Sequence, residues 1–202
     1  LSESELKAIR SQMNPHFIFN VLNSIEAYVM DNDKTTASRL IQKFASLSRL
    51  ILENSTKSLV AADREWKSLL LYTELEAMRY NNSFTFNFSV DENLQLKTLL
   101  LPPMLVQPLI ENAILHGLIE AQNTDAHLEV RIKKVNDGIC ISVEDNGSGI
   151  EKQLKAIKKN SIKEKSMGLA SIKERINVIN SQNETYKASF KINNRAEGGT
   201  IA

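Results

Sequence analysis

Three stretches of this 202-residue chain carry residue types that can do chemistry: Asn14-Pro15-His16-Phe17-Ile18-Phe19-Asn20, Glu111-Asn112-Ala113 and Asp145-Asn146-Gly147-Ser148-Gly149. His16 offers an imidazole, whose unperturbed pKa of about 6.5 leaves a nucleophilic nitrogen near neutral pH. Asn112 can give its amide oxygen to magnesium, a hard cation that keeps waters and is shared with phosphates. Glu111 beside it can accept a proton or orient a water. Asp145 can accept from the exocyclic amine of adenine, and Gly147 and Gly149 let the backbone turn tightly and approach the base. Each stretch alone is weak, since a histidine beside proline often just packs and an Asp-x-Gly-x-Gly run often just turns. Nucleophile, metal holder and nucleotide cradle together point to phosphoryl transfer.

The elements that must position these groups divide by composition. All seven glycines lie at or after Gly117. Long helices are therefore expected first and a turn-rich mixed domain second. We place a helical hairpin at 1–60 and a second domain at 61–202. The first helix runs from about Glu5 to Val29, interrupted at Pro15. On a wheel of about 100° per residue, Ile18, Val21, Leu22, Ile25 and Val29 face one way, and His16, Asn20, Asn23 and Ala27 the other. His16 thus stands outside the core, with Asn20 one turn below. After a polar turn at Asp31-Asn32-Asp33, Ala37, Leu40, Ile41, Phe44, Leu47 and Ile51 paint one apolar stripe. Two helices cannot bury both stripes alone, so a dimeric four-helix bundle is expected.

Further on, Asp63 is the expected N-cap of a third helix ending at Arg79. Phe84, Phe86 and Phe88 alternate as a strand. A helix after Pro102-Pro103 is expected to stop at Gly117. Residues 128–132 and 139–143 read as a hairpin turning at Asn136-Asp137-Gly138. Leu169, Ile172, Ile176 and Ile179 mark another helix, and strands are expected from Tyr186 to Ile192 and from Thr200 onward. Around the cradle, His116 lies one turn after Asn112 and suits either a phosphate contact or helix-end packing. A lysine-rich run between Glu151 and Ser166 suits a lid or a solvated loop. Backbone N–H groups at Gly168 and Leu169 open a helix where phosphates bind well. Gly198-Gly199-Thr200 brings a hydroxyl toward the base or simply turns into the last strand.

A formal charge of +1 gives no electrostatic case for a nucleic-acid partner. The single cysteine, Cys140, excludes an internal disulfide and reads as a small packed residue in a strand. No apolar run reaches membrane-spanning length. The chain starts without methionine and stops inside an expected strand, so we read it as an excised cytoplasmic piece of a longer protein.

Over nearly its whole length the chain resembles the sensor histidine kinases of the LytS/YehU type. The His16 segment looks like their phosphoacceptor motif, and Pro108 to Ala113 with His116-Gly117 like their N box. Val143 to Ile150 looks like the first glycine box, Gly168-Leu169 with Lys173-Glu174-Arg175 like the second, and Gly198-Gly199-Thr200 like the closing motif. The resemblance implies an α+β chain: a helical-hairpin dimerisation and phosphoacceptor domain, then an ATP-binding domain of the Bergerat (GHKL) fold. It also implies ATP and Mg2+ as cofactors, phosphorylation of His16, and phosphotransfer to a response-regulator aspartate. The expected setting is a membrane-anchored bacterial sensor whose anchor lies outside this chain. Ser166 stands where a glycine of the second box is expected, and Phe17 follows the histidine where the commonest histidine kinases have a carboxylate. Glu111 is then the candidate general base. The alternatives are a degenerate, non-catalytic dimeric scaffold and an ATPase doing conformational work, which an exposed His16 disfavours.

Overall fold

Proline at a helix start loses nothing, because its missing N–H has no acceptor there. In the computed structural model Pro15 accordingly opens α1, Pro15–Met30. The structure describes residues 15–121, 124–149, 172–174, 176–177, 179–181 and 187–202. Asn32, at a φ of 63°, turns the chain. Asp33 then caps α2, Lys34–Ser55, by accepting from the Thr36 N–H at 3.0 Å. The short β1, Val60–Ala61, leads straight into α3, Ala62–Arg79. Here the expected cap is corrected: Ala61 occupies the cap position and Asp63 lies in the first turn. The N–H groups of Ala62 and Asp63 are taken by the Leu99 and Leu96 carbonyls.

The chain forms two compact units, Leu1–Asn82 with Gln95–Met104, and Ser83–Leu94 with Leu105–Ala202. This differs from a division at residue 60, because α3 packs on the hairpin of the first unit. Phe17 and Val21 of α1, Ala37, Leu40, Leu47 and Ile51 of α2, and Leu69, Tyr72 and Leu75 of α3 are buried. The α2 stripe is as expected except that Ile41 is exposed. The α1 stripe is not. Phe17 packs against Tyr72, with ring centroids 4.7 Å apart, and turns the helix so that Leu22 and Val29 are exposed. β3, Leu100–Leu101, pairs antiparallel with β1 and completes this unit. Met104 follows at a φ of 60°, its N–H donating to the buried Glu65 Oε1 at 2.9 Å.

The second unit is a five-stranded mixed sheet in the order β2-β4-β5-β7-β6. β2, Thr85–Val90, runs parallel to β4, His127–Val135, and β4 turns through Asn136-Asp137 into antiparallel β5, Gly138–Asp145. β6, Asn193–Asn194, and β7, Thr200–Ile201, close the sheet. The strand expected from Tyr186 to Ile192 is corrected: Tyr186 lies outside the described residues, 187–192 form no regular element, and pairing begins with the two residues of β6. α4, Gln107–Asn112, continues without a break into a π-helical turn, Ala113–Ile119. Its Ile110, Ile114 and Leu118 are buried along with Leu128, Val130 and Ile132 of β4 and Val143 of β5. Each such side chain removed from water contributes about 1.5–3 kcal/mol. The other face of the sheet is polar and laced by ion pairs of Glu129, Arg131 and Glu144. Cys140 is exposed rather than packed, since its register partner is Lys133 on the same outer side.

Candidate functional site

Successive helical residues point about 100° apart, so burying one fixes where its neighbour looks. Phe17 is driven inward against Tyr72, and His16 is left exposed on α1. The half-buried Asn20 lies one turn on, its side-chain amide nitrogen 3.1 Å from His16 Nδ1. The Ser24 hydroxyl donates to the Asn20 carbonyl at 2.9 Å. An amide can present either end to the ring. When its oxygen faces an Nδ1–H, the lone pair of the ring lies on Nε2, the nitrogen that then acts as nucleophile.

Glu111 and Asn112 close α4, both half-buried. The Asn112 Nδ2 is buried with no hydrogen-bond partner among the described residues. An orphaned amide of this kind is costly unless something polar arrives. Among the described residues no three His, Cys, Asp or Glu side chains converge on a metal position. A magnesium ion shared between the Asn112 amide oxygen and the oxygens of a phosphate chain would suit this donor chemistry. His116 is buried, its Nδ1 2.9 Å from Glu120 Oε1.

Asp145 ends β5, where the sequence had placed it, and is 2% exposed. Its carboxylate accepts from the Gly147 N–H at 2.9 Å and from the Thr200 N–H and hydroxyl. Burial pushes its pKa up, and the Gly147 and Thr200 hydrogen bonds and the Arg195 charge pull it back without cancelling that rise. Thr200 stands opposite it in register. The surrounding backbone is packed at glycine distance. A Cβ on Gly147 would lie 1.7 Å from the Gly117 carbonyl oxygen, one on Gly199 1.9 Å from the Asp145 carbonyl oxygen, and one on Gly117 2.7 Å from Asp145 Cγ. Gly149 has the positive φ expected of a tight turn, at 74°.

Asp145, Gly147 and Thr200 are thus brought together, on the unit that also carries Asn112. Gly168, Leu169 and the lysine-rich run lie outside the described residues. Two neighbours were missed. Gly117 was read as a helix stop, but the helix runs through it as a π turn, and its missing side chain makes room for Asp145. The signal was available in the pairing of a late helical glycine with a glycine-rich turn. Arg195, whose Nη1 donates to the Asp145 carbonyl at 3.1 Å, gave no signal in its local pattern.

Comparison with known proteins adds family evidence to this geometry. Residues 4–84 match the family model described as histidine kinase, and residues 102–201 that of the histidine kinase-, DNA gyrase B-, and HSP90-like ATPases. A LytS sensor protein of Staphylococcus epidermidis is 34% identical over 151 residues, covering 74% of this chain and 25% of that protein. That of Staphylococcus saprophyticus is 30% identical over 204 residues, covering 100% and 34%. In Staphylococcus aureus a sensor histidine kinase/phosphatase LytS is 32% identical over 179 residues, covering 88% and 30%. The chain therefore spans about a third or less of the length of these relatives. Among solved structures, the histidine kinase domain of the Erythrobacter litoralis EL346 blue-light activated kinase has a similar fold. Its TM-score is 0.51 at 13% identity, covering 98% of this chain and 90% of that one.

Proposed function

Because the chain belongs to the sensor histidine kinases of the LytS type, we propose that it is the kinase portion of a two-component sensor. It moves the γ-phosphoryl group of ATP onto His16 and then to an aspartate of a response-regulator receiver domain. The observation that carries this reading is the exposed His16, held outward by the buried Phe17, in a chain whose second unit matches an ATPase family. The non-catalytic scaffold is not favoured, since Asn112, Asp145 and the glycines Gly147 and Gly149 are all in place.

In the proposed reaction an imidazole nitrogen of His16 forms the new N–P bond. The bond from the γ-phosphorus to its bridging oxygen breaks, and ADP leaves with that electron pair. The proton on the other ring nitrogen passes to a base, for which Glu111 is the candidate. Asn20 holds the ring so that the attacking nitrogen keeps its lone pair. Asp145 and Thr200 read the adenine edge, and Asn112 would hold a magnesium ion, which would supply charge neutralisation on the phosphates. Catalysis of this kind is mainly positioning plus electrostatics.

The first unit further supports self-association. Ile18, Leu22, Ile25 and Val29 lie at helical spacing on α1, and Leu22 and Val29 are 47% and 54% exposed. We assign this stripe to a second copy of the chain, giving a dimeric bundle. No helix among the described residues is long and apolar enough to cross a membrane. Attachment to a membrane sensor, with this part on the cytoplasmic side, belongs to the same proposal. Incubation with labelled ATP and Mg2+ tests the core of it: the label on the protein must be acid-labile and alkali-stable, as a phosphoramidate is. A label with the opposite stability, or none in a folded protein that binds ATP, refutes the kinase reading.

A further inference from the structure

Arg195 lies in the turn between β6 and β7, and its side chain leaves that turn to reach the end of β5. Its Nη1 donates to the Asp145 carbonyl oxygen at 3.1 Å, and its Nε is 3.8 Å from Glu144 Oε2. The turn is closed on itself: the Arg195 N–H donates to the Gly199 carbonyl at 3.0 Å, and the Gly198 N–H to the Arg195 carbonyl at 3.2 Å. Gly198 and Gly199 adopt φ values of 96° and 90°. Gly199 passes so close to the Asp145 carbonyl that no Cβ fits there, and Arg195 grips that same carbonyl. Thr200, one residue on, is thereby set opposite Asp145.

Resting on the reading that Asp145 recognises the adenine base, we propose that Arg195 is the positioning residue of that carboxylate. It clamps the end of β5 to the turn before β7, and places a permanent positive charge beside the Asp145 carboxyl. A carboxyl 2% exposed ionises against the cost of leaving water. A guanidinium is permanently charged and donates from a rigid fork, so it can hold a carbonyl and offset that cost at once. Of the other charged groups on the elements around Asp145, Lys133 and Lys134 on β4 and Glu197 in the turn are exposed, and Glu111 on α4 is half-buried. Glu144 on β5 pairs with Arg131 on β4 and with Arg195 itself, Glu129 on β4 with Arg131 and His127, and His116 on the π turn with Glu120. Arg195 is the group whose charge bears on the Asp145 carboxyl.

The test titrates the 202-residue chain and its Arg195→Gln, Arg195→Met and Arg195→Lys variants with ATP and with GTP, by calorimetry across about pH 5 to 8. Neutral replacement is expected to weaken ATP binding about tenfold, equivalent to about 1.4 kcal/mol. It also narrows the preference for ATP over GTP and moves the acid limb of ATP affinity to higher pH. Lysine, which restores the charge without the fork, is expected to return the acid limb to its original position. Two neutral variants are included so that one failing to fold leaves the other to read. An unchanged acid limb and ATP-to-GTP ratio in a folded neutral variant overturns the role of Arg195. Failure of lysine to restore the limb overturns the charge component. Absence of ATP binding by the unsubstituted protein instead overturns the reading of Asp145 on which the inference rests.

Discussion

His16 and Phe17 are neighbours in opposite surroundings, and the proposed function draws on that contrast. The ring of Phe17 is held by Tyr72 inside the first unit, so the imidazole next to it is exposed without any contact needed to keep it so. His16→Gln is therefore expected to leave ATP binding and the fold intact and to abolish the acid-labile, alkali-stable label. Persistence of that label assigns the phosphoacceptor elsewhere. Phe17→Ala, by contrast, is expected to cost about 3–5 kcal/mol as a buried aromatic deletion, read as a drop in the denaturation midpoint. At Asp145 burial raises the pKa more than hydrogen bonds and Arg195 lower it. On acidification this carboxyl takes up its proton earlier than an ordinary aspartate, and ATP affinity is expected to fall with it. Asp145→Asn is expected to remove both that acid limb and the preference for ATP over GTP; calorimetric titration at two pH values reads both. Asp145, Gly147 and Thr200 were legible in the sequence because each occupies a motif of fixed spacing. Arg195 was not, because its role depends on a carbonyl fifty residues away in the chain.

The helices show what periodicity can and cannot say. In α2 the stripe of Ala37, Leu40, Leu47 and Ile51 was legible because one face is covered throughout. In α1 the same reasoning found an apolar face but not which part of it α3 covers. Tyr72 takes Phe17, and Ile18, Leu22, Ile25 and Val29 are left for another occupant. Replacing both Leu22 and Val29 by Glu is expected to convert a dimer to a monomer in light scattering while leaving helicity unchanged. A dimer that survives the double substitution is held by some other surface. The cap of α3 was illegible for a different reason: its orphan N–H groups are satisfied by the Leu96 and Leu99 carbonyls, some thirty residues on, instead of by a side chain. Gly117 was misread because a glycine late in a helix usually ends it. Here the helix widens into a π turn and the glycine serves the approach of β5. Gly147→Ala forces backbone against backbone, and a loss of at least about 1–3 kcal/mol in urea unfolding is expected.

At the scale of the molecule, one source of acid sensitivity lies on the outer face of the sheet. Desolvation pushes Glu129 up, but hydrogen bonds from His127 and Asn87 and the Arg131 charge outweigh it and hold its pKa below the usual value. Its stabilising contribution is present above the ordinary glutamate pKa of about 4.3 and is lost as pH falls through the lowered one. Glu129→Gln is thus expected to lower the thermal midpoint near neutral pH, with the difference from the parent closing in strong acid; parallel midpoint curves contradict the assignment. The glycine-free first half suggests a division at residue 60, whereas the chain crosses between its two compact units three times, after Asn82, Leu94 and Met104. That path has a consequence for inheritance. A single splice at 60, 82 or 104 separates α3 from the hairpin it packs on, β1 from β3, or β2 from β4, respectively. Recombination that exchanges the phosphoacceptor half for that of a distant relative would leave a broken pairing on one side of the junction. The histidine-bearing helices and the sheet are therefore expected to travel through evolution, and through any engineered chimera, as one indivisible cassette.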